Sequence, residues 1–180
     1  MRIHRQVLER LYESSAIAGA VMFVGICAVI LAQIVGRLLG VYIPESDDIT
    51  AWCVAGATFL PLAHIYRRGA HIRVTLLADQ IKSPLMRSAA DLLVLVVGLA
   101  VSGIFVAAGV DLIRDSFAFQ ETSAGELGVP MWIPQTSMCL GSAVLFAAIL
   151  DDIVSIVAGR AVSWRAVAPQ DALEQAAEDL

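Results

Sequence analysis

The fold turns on Ser14–Gly36, SSAIAGAVMFVGICAVILAQIVG, 23 consecutive residues without a charged side chain. A helix rises 1.5 Å per residue, so about 20 residues cross a hydrocarbon core roughly 30 Å thick. Three more charge-free runs follow: Ile49–Tyr66 with 18 residues, Leu92–Val110 with 19 and Leu127–Leu150 with 24. None alternates with period two, which disfavours a membrane β-barrel. An all-α integral membrane fold is expected, with four transmembrane helices over about 14–37, 46–66, 92–110 and 129–150.

Composition points the same way. Of 180 residues, 58% are hydrophobic and 16% charged, with a mean hydropathy of +0.77. A soluble domain is close to half apolar and about a quarter charged. It could not hide this much apolar surface, because small domains bury only about two-thirds of their unfolded area. The net charge of −5 comes mostly from acidic residues in loops and tail, and no basic block is present, which excludes nucleic acid as a partner. Cys27, Cys53 and Cys139 each lie inside an apolar run without a CxxC pair, and read as small hydrophobes packed between helices.

The first run follows a basic segment, as a signal peptide would. Its apolar region exceeds the usual ~7–15 residues. Its small residues, Ala16 to Ala20, stand at its start instead of its end, so an uncleaved span is expected.

Orientation follows from Lys and Arg between the spans. Arg2, Arg5 and Arg10 precede the first; Arg67, Arg68, Arg73, Lys82 and Arg87 occupy the middle connection; Arg160 and Arg165 follow the last. Only Arg37 and Arg114 lie on the opposite side. Both termini and the middle connection are therefore expected in the cytoplasm, and Glu45, Asp47, Asp48, Asp111, Asp115, Glu121 and Glu126 outside.

In the first connection, Pro44 and the carboxylates after it suit a helix first turn, so the second helix is expected to begin near Pro44. Pro61 inside that helix removes one backbone hydrogen bond and should bend it. In the middle connection, Val74, Leu77, Ala78 and Ile81 recur at helical spacing opposite Arg73, Asp79 and Gln80. This predicts a short amphipathic helix over about 71–82 at the cytoplasmic interface. Ser83-Pro84 reads as cap and first residue of the third membrane helix. Residues 1–160 form one membrane domain; 161–180 read as a frayed or disordered cytoplasmic tail, acidic and Ala-rich from Pro169 onward.

The runs offer little for chemistry. Gln33, His64 and Gln135 are their main polar residues, and no acid lies in a span core. His64, three residues before Arg67, reads as a polar residue at a helix end. His4, His64 and His71 share no metal-ligand spacing, and no cofactor or catalytic residue is expected. Small residues recur at four-residue spacing, as Ala51 and Ala55, Gly98 and Ser102, Gly103 and Ala107, Ser137 and Gly141, where helices in lipid can approach closely. Trp52 and Trp132 lie where aromatic belts form. Arg37 and the Asp47/Asp48 pair bracket the outer connection, either as a salt bridge between the first two helices or as two solvated flanks. Arg67, Arg68 and Arg73 read as topology determinants, with anionic lipid headgroups the alternative partner.

Three segments carry a family resemblance: Gln33-Ile34-Val35-Gly36-Arg37, Ile43-Pro44-Glu45-Ser46-Asp47-Asp48, and Arg68-Gly69-Ala70-His71-Ile72-Arg73-Val74. With Val129-Pro130-Met131-Trp132-Ile133-Pro134 and Gly141, the chain resembles the small membrane subunit of tripartite ATP-independent periplasmic (TRAP) transporters, the DctQ-like family. Gly69, His71 and the residues around Arg73 are the most specific part; Asp47-Asp48 stands where that family more often has glutamates, and Thr75 where an acid is common. The resemblance implies a heteromeric importer of the bacterial inner membrane. An extracytoplasmic binding protein delivers a carboxylate-bearing solute to a large multi-span subunit holding the solute and sodium sites. The small subunit braces that partner and helps dock the binding protein. A stand-alone oligomeric channel would need a polar stripe, and a membrane oxidoreductase would need paired cysteines or ligating histidines; the runs supply neither.

Overall fold

The structure is a computed structural model that describes residues 2–68, 84–125 and 128–157. It contains α1 (Arg2–Leu38), α2 (Ser46–Phe59), α3 (Leu62–Arg67), α4 (Pro84–Ala118) and α5 (Trp132–Val157). Among the described residues no strand occurs, only an isolated bridge between Thr122 and Pro130. Four segments are long and apolar enough to cross a membrane: Leu8–Leu38, Ser46–Arg67, Ala89–Ala118 and Trp132–Ile156. The fold is all-α with four candidate spans. The amphipathic helix expected over 71–82 and the tail over 161–180 lie outside the described residues.

Each helix outruns its charge-free core. A charge at a helix end reaches the headgroups without breaking the helix, as snorkelling side chains do. Thus α4 begins at Pro84 and carries Asp91, Asp111, Arg114 and Asp115. The second helix begins at Ser46, just after Pro44, because Glu45 takes a left-handed φ of 59° that a helix cannot continue. At Pro61 the expected bend is a break that separates α2 from α3. Proline has no N–H for the carbonyl four residues back; Leu60 N still reaches Gly56 O at 3.1 Å, and the ladder resumes with Ile65 N to Pro61 O at 3.0 Å.

The helices pack in the order α1, α2/α3, α5, α4, with α1 and α4 at opposite edges and α5 packing most extensively on α4. Side-chain periodicity dictates this row. On α1 the least exposed positions are Tyr12, Ser15, Gly19, Met22, Ile26, Val29, Gln33 and Gly36, alternating steps of three and four. That spacing averages 3.5 residues and keeps one seam against a neighbouring helix. On α4 the corresponding stripe is Asp91, Leu95, Gly98, Ser102, Val106, Gly109, Ile113 and Ser116. The α5 helix lies between neighbours and exposes few residues.

The break in the second span is seated between two glycines. A Cβ on Gly19 of α1 would stand 2.7 Å from Pro61 Cδ, and one on Gly141 of α5 would collide with the Phe59 carbonyl. Without side chains there, both flanking helices reach the irregular backbone, as small residues allow in lipid. Below the break, Tyr12, Ala63 and Ala148 form one buried cluster, and Leu95 and Ile149 a second.

Candidate functional site

Polar side chains gather at the two ends of this row. At the end that carries Arg67 and Arg68, the Tyr66 hydroxyl donates to Asp152 Oδ2 at 3.0 Å. The next residue, Arg67, places Nη1 3.7 Å from Asp151 Oδ2 and its guanidinium carbon 4.9 Å from the centre of the Tyr12 ring. Asp152 is only 2% exposed. A carboxylate withdrawn from water needs hydrogen-bond or ionic partners, since its unpaired burial costs several kcal/mol. Two adjacent aspartates on α5 thus each meet a different residue of α3, and α1 closes the group through the Tyr12 face. Tyr12 Oη and Arg67 Nη1 make no hydrogen bond among the described residues, and the guanidinium lies over the ring as a cation.

At the other end, residues 119–125 and 128–131 fold into a small cap. Ser123 N donates to Val129 O at 2.8 Å and Met131 N to Glu121 O at 2.9 Å. The cap reaches over to the start of α2, where Ser123 Oγ donates to Glu45 Oε2 at 3.3 Å and accepts from Gly125 N at 3.4 Å. Glu45 is buried despite its charge. Below it, Gln135 Nε2 donates to Ser116 Oγ at 2.8 Å, and that hydroxyl donates to Glu121 Oε2 at 2.7 Å. Phe117 meets Trp132 edge to face, with ring centroids 6.4 Å apart. The cap therefore ties α2, α4 and α5 together, while Gln33 Nε2 ties α1 to Asp47 Oδ1 at 3.0 Å.

That bond departs from both readings of the connection between the first two helices. Among the described residues no ion pair joins Arg37 to Asp47 or Asp48; Arg37 is exposed, and Asp47 takes its partner from Gln33, one turn earlier on α1. Trp52 is half-buried in the second turn of α2. Gly98 and Gly103 face α5, where a Cβ would stand 3.4 Å from Ile149 and 3.3 Å from Phe146. Ser102 is buried on the same side and bonds Leu99 O at 3.1 Å, whereas Ala107 points outward, exposed. Gly69, His71 and Arg73 lie outside the described residues.

Sequence reasoning passed over Tyr12, Tyr66, Asp152 and Ser123. One signal was available: Asp151-Asp152 closes the last charge-free run on the side where the arginine count puts Arg67. Two acids there call for a cationic or hydroxyl partner.

Compared with protein families, residues 26–159 match the model of the tripartite ATP-independent periplasmic transporters, DctQ component. The chain belongs to the DctQ family. DctQ proteins are the small membrane subunit of these transporters, so this chain is a multi-pass membrane transport subunit and a transporter component. Searches of curated proteins and of solved structures found no match. The DctQ match takes in the cap and the Tyr66, Arg67, Asp151 and Asp152 group, and starts beyond Tyr12.

Proposed function

We propose that this DctQ chain is a bracing subunit that lies in the inner membrane with both termini in the cytoplasm. It holds the large permease subunit in the bilayer and helps dock the extracytoplasmic binding protein. The imported solute carries a carboxylate, and the ion gradient acts through the large subunit.

One observation carries the bracing role. The buried charged residues Glu45, Asp91 and Asp152 stand near helix ends, each close to the edge of its span. Solute and ion sites in secondary transporters lie near the bilayer midplane, where broken helices present backbone groups to the ligand. Here the span broken at Pro61 is closed up, with the Pro61 ring pressed against Gly19 and the Phe59 carbonyl against Gly141. Such a chain supports rigidity better than passage.

Affinity purification of the tagged chain from membranes tests the reading. The large multi-span subunit is expected to remain bound through mild detergent; purification of the chain alone, under conditions that keep the large subunit folded, would refute it.

A further inference from the structure

Glu45 holds a backbone conformation that α2 does not require. It precedes the first residue of that helix, and its carbonyl accepts from Ile49 N at 3.0 Å. A residue in that position is normally extended, with its side chain turned back onto the helix. Glu45 is left-handed instead, at φ 59° and ψ 9°, and makes no capping bond to its own helix. Among the described residues only Glu45 and Gln120, at φ 52°, have such backbone without being glycine. L side chains rarely adopt it, and persist there when their surroundings hold them. Both residues belong to one place, since Gln120 lies at the start of the cap and Glu45 is the residue that Ser123 of the cap meets.

The side chain accounts for the strain. The Glu45 carboxylate is buried and stands beside Gly125 in the space of a Cβ, so a side chain at 125 would collide with it. Gly125 is not one of the left-handed glycines, Gly40 and Gly128, so the collision and not its own backbone opposes an alanine there. Turning the carboxylate aside would break its bond to the Ser123 hydroxyl, which also accepts from Gly125 N. We propose that Glu45 is a clasp, seated at Gly125, that couples the cap between α4 and α5 to the connection between α1 and α2. The coupling runs through the backbone. Two bonds meet at Glu45: Ser46 Oγ to Ile43 O, at 3.0 Å, reaches across it, and Ile49 N holds its carbonyl. Relaxing φ and ψ at Glu45 turns the connection against α2 and cannot keep both. The clasp depends on the fold alone and not on the bracing role.

Hydrogen–deuterium exchange tests it on the full chain, reconstituted with its large subunit in nanodiscs, as wild type, Glu45→Gly, Gly125→Ala and the double variant. Glycine at 45 relieves the left-handed backbone. If the carboxylate held nothing, Glu45→Gly would exchange as slowly as wild type or more slowly. The clasp predicts the reverse, with exchange about fivefold faster in residues 121–125 and in residues 41–50 together. Gly125→Ala displaces the carboxylate, so it should speed both segments in the wild-type background and add little once Glu45 is glycine. No rise in Glu45→Gly, or a rise in one segment only, would overturn the coupling. An equal effect of Gly125→Ala in both backgrounds would overturn the seat at Gly125. Should Gly125→Ala not fold, Glu45→Ala replaces it: the variant loses the carboxylate and keeps the strain, and should exchange in both segments at least as fast as Glu45→Gly. Exchange at the wild-type rate in that variant would overturn the clasp.

Discussion

The Tyr66 hydroxyl on α3 donates a 3.0 Å hydrogen bond to Oδ2 of Asp152 on α5, 86 positions further along the chain. It joins the short helix beyond the Pro61 break to the centre of the row. Interhelical hydrogen bonds of this kind contribute about 1–2 kcal/mol in a membrane protein. Tyr66→Phe should lower stability by about that amount. Asp152→Ala should cost more, about 2–3 kcal/mol, because it removes a buried carboxylate together with its bond to the half-buried Tyr66 hydroxyl. Asp152→Asn keeps an acceptor oxygen and should fall between wild type and Asp152→Ala. Thermal melting in detergent gives the order, and an Asp152→Ala midpoint equal to wild type would remove the bond from the account.

Arg67 should behave as a stacked cation. Arg67→Lys keeps a charge facing Asp151 but loses the planar face laid on Tyr12, at an expected cost of about 1 kcal/mol. Tyr12→Phe keeps the ring and removes only a hydroxyl that bonds nothing among the described residues. It should be close to neutral. Equal losses in the two variants, measured by the same melts, would show that the hydroxyl matters and the ring face does not.

The glycines divide by what surrounds them. A side chain at Gly141 meets the Phe59 carbonyl, which belongs to backbone and cannot turn aside; one at Gly98 meets only the end of the Ile149 side chain, at 3.4 Å. Gly141→Ala should therefore destabilise by about 1–3 kcal/mol, the usual range for overpacking. Gly98→Ala should stay within about 0.5 kcal/mol of wild type, as substitutions free of clashes do. The two melting midpoints decide it, and the reverse order would contradict the packing described.

The cap should open more often when one of its links to the start of α2 is cut. Ser123→Ala removes the hydroxyl shared by Glu45 and Gly125. A lost hydrogen bond of about 1 kcal/mol makes local opening about fivefold more frequent. Protease added to the cap's side of sealed vesicles should then cleave within 119–125 correspondingly faster. An unchanged cleavage rate would mean that the cap is held elsewhere.

Much of this was legible in the sequence. The absence of charge over Ser14–Gly36 and its three counterparts follows from the solvent, so the number of spans could be read directly. Helix ends could not, since Asp91 and Asp111 sit comfortably on α4 beyond the charge-free run. Gln33 was visible as a polar residue, but its pairing with Asp47 depends on how two helices are rotated against each other, which local composition does not encode. The same holds for Tyr66 and Asp152, whose partnership exists only once α3 is placed beside α5. The seam from Tyr12 to Gly36 was readable by its steps of three and four, and a search for that period would have marked the face of α1 that packs.

The bracing role is tested most directly by solute uptake into proteoliposomes holding the large subunit, with its binding protein and an imposed ion gradient, in the presence and absence of this chain. The account predicts robust uptake only when this chain is present, and no flux from liposomes that contain this chain alone. Gradient-driven flux through the chain by itself would contradict it.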